Sequence, residues 1–333
     1  MWALLALLLS VAAAQSPVCR ALALEGGGDK GAYEAGVLQA FAKLLDPEEI
    51  TYDVVTGISV GALNAMLVVN TPIGQEVELA DRMVELWRWV GQTGPGAVFT
   101  NWNSLGIPYA ILAEPSLFST APLRNTTHAY FNITTGIQRK FVIGTSDFNT
   151  GTLRLFNESI GVQGLMEVVM CSSAMPALFP YQNYSGTEFC DGGCILNLNI
   201  FSAVERCLEE VDDPSQVIVD SIFLTGDHLE ANASSYTTIG VMNRAKEINA
   251  YDSSMWYLFN ALTAYPTVNF RYTVVPSKAL PGNEIPLVFT TAAVDTMLAE
   301  AMSDVQTLIN GNGLTARDYT SAYMQKRNSR RFK

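Results

Sequence analysis

The chain has 333 residues and a net charge of −12, with 49% hydrophobic and 16% charged residues. Such a composition supplies a large core and excludes global disorder. The acidic balance argues against a nucleic-acid partner, because phosphate recognition needs a basic surface that displaces counterions.

Residues 1–14 read as a cleaved export signal. An apolar run over Trp2–Val11 leads to Ala12-Ala13-Ala14, a small-residue cleavage site, although no Lys or Arg precedes it. The run is too short to span a bilayer, and no other stretch reaches roughly 18 uninterrupted apolar residues. Five Asn-x-Ser/Thr sequons, at Asn125, Asn132, Asn157, Asn183 and Asn232, add modest support for a secreted or vacuolar/lysosomal destination and point to exposed loops. The five cysteines Cys19, Cys171, Cys190, Cys194 and Cys207 allow one or two disulfides with at least one thiol over. Cys190 and Cys194 lack a second pair at ligand spacing, which disfavours structural zinc.

Strands and helices then alternate. Arg20–Glu25 is a short apolar strand, followed at once by glycines and by a helical pattern over Gly31–Leu45. Asp53–Thr56 reads as a second strand, Val60–Val69 as an apolar helix and Glu76–Val90 as an amphipathic one. The stretch 91–127 is rich in Gly, Pro, Asn and Ser and reads as loop or cap. Lys140–Gly144, Leu153–Asn157 and Val217–Leu224 are strand-like. Helices are expected over Phe201–Glu210, Ile239–Ala261 and Asp295–Asn310. The alternation predicts an α/β fold with a mostly parallel sheet covered by helices on both faces. No linker or repeat divides the chain, so one domain is expected over 20–310. A basic tail follows over 311–333, with Lys326, Arg327, Arg330, Arg331 and Lys333 in a solvated, mobile end.

Three glycine signatures carry chemistry. The first, Gly26-Gly27-Gly28-Asp29-Lys30-Gly31, stands between strand and helix. It spells G-x-G-x-x-G, but no acid follows at the end of the second strand to hold a ribose, and no Lys-Ser/Thr completes a P-loop. What remains is bare backbone whose N–H groups, at a helix N-terminus, favour negative charge. The second, Gly57-Ile58-Ser59-Val60-Gly61, is a G-x-S-x-G at a strand–helix junction, the pattern of a nucleophile elbow. The third is Asp191-Gly192-Gly193; alone, such an acid is usually a turn former. The two histidines are His128 and His228. The order Ser59, Asp191, His228 fits an α/β-hydrolase triad, yet Ser59 comes early, after one strand and one helix.

Together these segments resemble the patatin-like phospholipase family. The resemblance runs from Leu24-Glu25-Gly26-Gly27-Gly28-Asp29-Lys30-Gly31 through Gly57-Ile58-Ser59-Val60-Gly61 to Asp191-Gly192-Gly193. It includes Thr145-Ser146-Asp147-Phe148-Asn149-Thr150-Gly151 and Ser172-Ser173-Ala174-Met175-Pro176-Ala177-Leu178-Phe179-Pro180, and covers about residues 20–200. It implies a patatin-like three-layer fold and a Ser–Asp dyad, with Ser59 as nucleophile and Asp191 as base. It also implies an oxyanion hole near Gly27, Gly28 and Asp29, an ester of a membrane lipid as substrate and no cofactor or metal. Asn197-Leu198-Asn199 lacks the proline the family often has there, and Glu25 receives no catalytic role. Met175, Leu178 and Phe179 read equally well as acyl channel or as plain core. Two other classes stay open: a catalytically idle storage or binding protein, and, more remotely, a dinucleotide-binding oxidoreductase.

Overall fold

The computed structural model describes residues 18–131, 135–227, 229, 237–282 and 287–329. The expected export signal, His228, the sequons at Asn132 and Asn232 and the last four residues lie outside these.

In chain order the elements are β1 (Cys19–Leu24), α1 (Gly31–Leu44), β2 (Val54–Ile58), α2 (Val60–Asn70), α3 (Glu76–Thr93), α4 (Gly106–Ala113) and α5 (Ala121–Tyr130). The β3 strand (Lys140–Asp147), β4 (Leu153–Phe156), α6 (Gly161–Ser172), β5 (Gln182–Tyr184), β6 (Thr187–Asp191) and α7 (Ile200–Cys207) follow. The chain continues through β7 (Val217–Ile222), α8 (Thr238–Ala264), β8 (Asn269–Val274), α9 (Thr291–Ile309) and α10 (Ala316–Ser329).

The strands form one sheet in the order β5-β6-β3-β2-β1-β7-β8, with β4 also paired to β3. The pairs from β3 through β2, β1 and β7 to β8 are all parallel, whereas β4 and β6 run antiparallel to β3. Side chains alternate across the central strands. Leu22, Leu24 and Val55 enter a core with α1, α2, α3, α6 and α9. Ala21, Ala23 and Val54 enter a second one with α7, α8 and α10. The fold is therefore a three-layer α/β sandwich, as the alternation predicts. A disulfide joins Cys19 at the start of β1 to Cys207 at the end of α7, while Cys171, Cys190 and Cys194 are free thiols.

The local register of β3 positions the site. Its residues 143–146 pair with β4, so β4 occupies one edge. On the other edge β2 pairs up to Gly144, and β6 takes over from Thr145. The C-terminal ends of β2 and β6 therefore meet head-on along one edge of β3.

Several elements depart from the sequence expectations. The stretch 91–127 contains α4 and most of α5. Pro122 sits in the first turn of α5, where a missing N–H costs nothing. The expected basic tail is largely the helix α10, anchored on α8. Tyr323 donates to Asp252 Oδ1 at 2.6 Å and the Arg327 guanidinium lies 4.4 Å above the Trp256 ring. Asn125 and Asn183 are exposed, but in α5 and β5 rather than in loops. No described helix is long and apolar enough to cross a membrane.

Candidate active site

Ser59 links β2 to α2 in a left-handed conformation, with φ 54°. For a non-glycine residue this costs on the order of 1–3 kcal/mol and persists only where the surroundings enforce it. The flanking glycines make the turn possible. A Cβ on Gly57 would lie 2.4 Å from the Gly61 carbonyl oxygen, and one on Gly61 would lie 2.6 Å from the carbonyl oxygens of Leu24 and Glu25.

The meeting of β2 and β6 brings the Ser59 hydroxyl to Asp191. It donates to Asp191 Oδ2 at 2.6 Å, across 132 residues of sequence. The other carboxylate oxygen, Oδ1, accepts from Gly193 N at 2.8 Å. The Asp191 backbone is pinned as well: its N–H donates to Ala174 O at 2.9 Å, and its carbonyl accepts from Ser146 Oγ at 2.9 Å. Burial pushes the Asp191 carboxyl up to about 6, against the opposing pull of the Ser59 hydroxyl, the Gly193 N–H and the Lys246 charge. Gly192 packs its bare Cα against the Gly144 carbonyl.

The triple-glycine bend lies against this pair. A Cβ on Gly26 would stand 3.2 Å from the Ser59 Cβ. Gly26 N donates to Asn197 O, and Asn197 Nδ2 donates to Gly26 O, both at 2.9 Å. The segment that carries Asn199 in place of the family's proline is thus a support for the bend. Gly27 abuts Leu224, and Gly28 takes φ 65°. Among the described residues no acceptor pairs with the N–H groups of Gly27 or Gly28. Asp29 is buried instead, with Oδ2 accepting from Val288 N at 2.7 Å. Burial raises its carboxyl to about 6, and its own N–H is among the groups that oppose the rise. Of the three donors expected from sequence, Gly27 and Gly28 are the open ones. Gly31 starts α1 against the Trp87 ring.

Sequence reasoning missed the roles of Ser172 and Glu25. Ser172 Oγ accepts from Ser59 N at 2.9 Å and donates to Gly144 O at 2.7 Å. Glu25 is fully buried and accepts from Leu224 N, Thr225 N, Thr225 Oγ1, Ser254 Oγ and Asn197 Nδ2. These bonds tie the loop after β7, α8 and Asn197 together, and burial raises the carboxyl. The only hint in the sequence was that both belong to recognisable runs. Of the histidines, His128 is exposed on α5. The Asp191 carboxylate occupies the position that a triad gives to its imidazole.

Beside Ser59 opens an apolar cavity. Ser59 and Gly28 stand in its wall, and Val60, Leu63, Met66 and Leu67 line it along one side of α2. Met175 and Phe179 also face it, whereas Leu178 is core. Trp87 closes part of the wall, its indole N–H donating to Asn64 Oδ1 at 3.1 Å.

The patatin-like phospholipase family model matches residues 22–204. A cGAMP-activated phospholipase of Escherichia coli (strain TW11681) is 23% identical over 209 residues, covering 56% of this chain and 55% of that protein. The chain thus spans about half the length of that curated relative. Among solved structures, VipD from Legionella pneumophila is 14% identical, covering 86% of this chain and 67% of that one, with a TM-score of 0.35. The ExoU–SpcU complex of Pseudomonas aeruginosa gives 14% identity, coverage of 74% and 52%, and a TM-score of 0.32. With more than half its length matched by the family model, the chain belongs to the patatin-like phospholipase family.

Proposed function

We propose that this protein is a lipid acyl hydrolase that cleaves carboxylic esters of membrane lipids through a Ser59–Asp191 dyad and an acyl-enzyme. The 2.6 Å hydrogen bond from Ser59 Oγ to Asp191 Oδ2, beside an apolar cavity that Ser59 helps to line, carries this reading. Asp191 accepts the hydroxyl proton as Ser59 Oγ attacks the ester carbonyl carbon. A carboxyl raised to about 6 is still ionised near neutral pH and is a better base than an ordinary aspartate at about 3.9. The oxyanion that forms takes hydrogen bonds from the Gly27 and Gly28 N–H groups; each such donor is worth roughly 2.7–4 kcal/mol. Asp191 returns the proton to the departing alcohol, leaving the acyl group on Ser59. It then takes a proton from water as the water attacks the acyl carbon, and passes that proton to Ser59 Oγ as the fatty acid leaves. The cavity along α2 holds the acyl chain by burying apolar surface.

Export to an oxidising compartment is part of the proposal and is supported by the Cys19–Cys207 disulfide. The test is hydrolysis of a lipid-ester panel, together with labelling by a fluorophosphonate. Wild type should hydrolyse and label, Ser59→Ala should do neither, and Asp191→Asn should lose nearly all turnover. A wild-type protein that neither labels nor hydrolyses would be the idle storage or binding form.

A further inference from the structure

Backbone hydrogen bonds between Thr100 and Ser119, at 3.0 and 2.9 Å, close off an excursion over residues 101–118 that carries α4. Ala110 is the one buried residue of α4. Around it Leu112 is 88% exposed, Ile111 and Leu105 67% each, and Ile107 43%. Residues 101–113 contain no Asp, Glu, Lys or Arg, in a chain of net charge −12. A concentration of large aliphatic side chains in water is unfavourable and marks a surface that is buried in use.

This excursion is stitched to the cavity. Leu117 N donates to Ala177 O at 2.8 Å and Phe118 N to Leu178 O at 3.0 Å. The strap so bound, residues 175–179, supplies Met175 and Phe179 to the cavity wall. The Phe99 ring sits 4.5 Å from that of Phe118 and 6.0 Å from that of Phe179. On the other side of the strap, Lys246 Nζ donates to Pro176 O at 3.3 Å, and the same end of α8 exposes Val241, Met242 and Ile248.

We propose that α4 and the Leu105 that precedes it, through Leu105, Ile107, Ile111 and Leu112, form the surface that seats the protein on a zwitterionic lipid–water interface, next to the strap that borders the acyl cavity. The proposal rests on the hydrolase reading for its purpose. An eight-residue helix is about 12 Å long, enough to dip into an interface and too short to cross it. Insertion of this segment buries no charge. Trp102 and Tyr109, both half-exposed, suit the headgroup level, where amphipathic rings concentrate. The net charge of −12 selects the lipid: anionic headgroups repel the protein, whereas zwitterionic ones leave the apolar term unopposed.

The experiment is flotation with phosphatidylcholine vesicles, using Ser59→Ala protein so that the lipid stays intact. Ile111→Glu and Leu112→Glu are added singly, and folding is checked by unchanged melting temperatures. Partition into the vesicles should fall roughly tenfold or more with each. In the Ser59 background, the same variants should hydrolyse a short soluble ester at the wild-type rate. Equal vesicle binding by the variants would overturn the proposal. So would binding of the parent to phosphatidylserine vesicles alone, or a dimer that Leu112→Glu splits without any change in vesicle binding. The two readings fail separately. Soluble-ester hydrolysis with no dependence of binding on α4 sinks only the docking surface; α4-dependent binding without hydrolysis sinks only the hydrolase.

Discussion

Ser172 holds Ser59 by the backbone: its hydroxyl oxygen accepts from the Ser59 N–H at 2.9 Å, and the hydroxyl donates to the Gly144 carbonyl at 2.7 Å. The strained elbow is thereby tied to β3, the strand whose same edge carries Asp191. Ser172→Ala removes the acceptor and leaves a buried N–H unpaired, at a cost of about 1–3 kcal/mol. The protein should still fold, with a lower melting temperature. Turnover should fall by roughly one to two orders of magnitude, because a displaced nucleophile loses its attack geometry. Wild-type kcat in Ser172→Ala would show that the elbow holds itself.

Asp191 gives opposite predictions for activity and for stability. Its carboxyl must be ionised to accept a proton, so kcat/KM should fall with acidity around pH 6, not around 4. Lys246→Ala removes a charge that opposes the rise, and should move this acid limb to higher pH. For stability the sign reverses. Burial raises the folded-state value, so the fold favours the protonated form and is penalised once the group ionises. The penalty is absent below about pH 4, grows to about pH 6 and is then complete; a shift of about two units corresponds to roughly 3 kcal/mol. Asp191→Asn should therefore be nearly inactive yet more stable than wild type at pH 8 by up to about 3 kcal/mol, with the gain vanishing near pH 4. Urea unfolding at the two pH values measures this, and equal stability at both would contradict the buried-charge account.

How much of this was legible in the sequence depends on whether the information is local. The elbow and the glycine bend were readable because close backbone approach demands glycine at fixed offsets, as the clashes at Gly57 and Gly61 show. The β1 and β2 strands were readable as continuous apolar runs between turn signals. The β6 strand was not: Thr187–Asp191 is short and carries Glu188, and its place is set by pairing with the far end of β3. That non-local pairing brings Ser59 and Asp191 together, a meeting that motif order suggested only through family resemblance. The α4 and α5 helices were hidden by prolines that fall in first turns, where they are tolerated. The interaction between Ser172 and Ser59 has no local signature at all.

Glu25 offers a test of the scaffold apart from the chemistry. Its carboxylate gathers the loop after β7, Ser254 of α8 and Asn197, and Asn197 in turn holds Gly26. Glu25→Ala would leave several buried donors without an acceptor, at about 1–3 kcal/mol for each that water does not reach. Thermal unfolding should show a large loss, of roughly 3 kcal/mol or more. Activity per folded molecule should fall too, because the glycine bend loses its support. A variant with wild-type stability would mean that these groups find other partners.

The cavity predicts chain-length selectivity. Ser59, Val60, Leu63, Met66 and Leu67 all border it, so it follows α2 away from the nucleophile. At 1.5 Å per residue, Leu67 stands about 12 Å along the axis from Ser59. An ester with a short acyl chain ends before that point, whereas a long chain runs past it. Leu67→Trp should fill the far part of the cavity, raise KM for long-chain esters by roughly tenfold or more and leave short-chain esters nearly unchanged. A panel of esters with one alcohol and increasing acyl length measures the effect. A uniform loss at every length would mean that the substitution disturbs Ser59 itself, and no loss at any length would place the acyl chain outside this cavity.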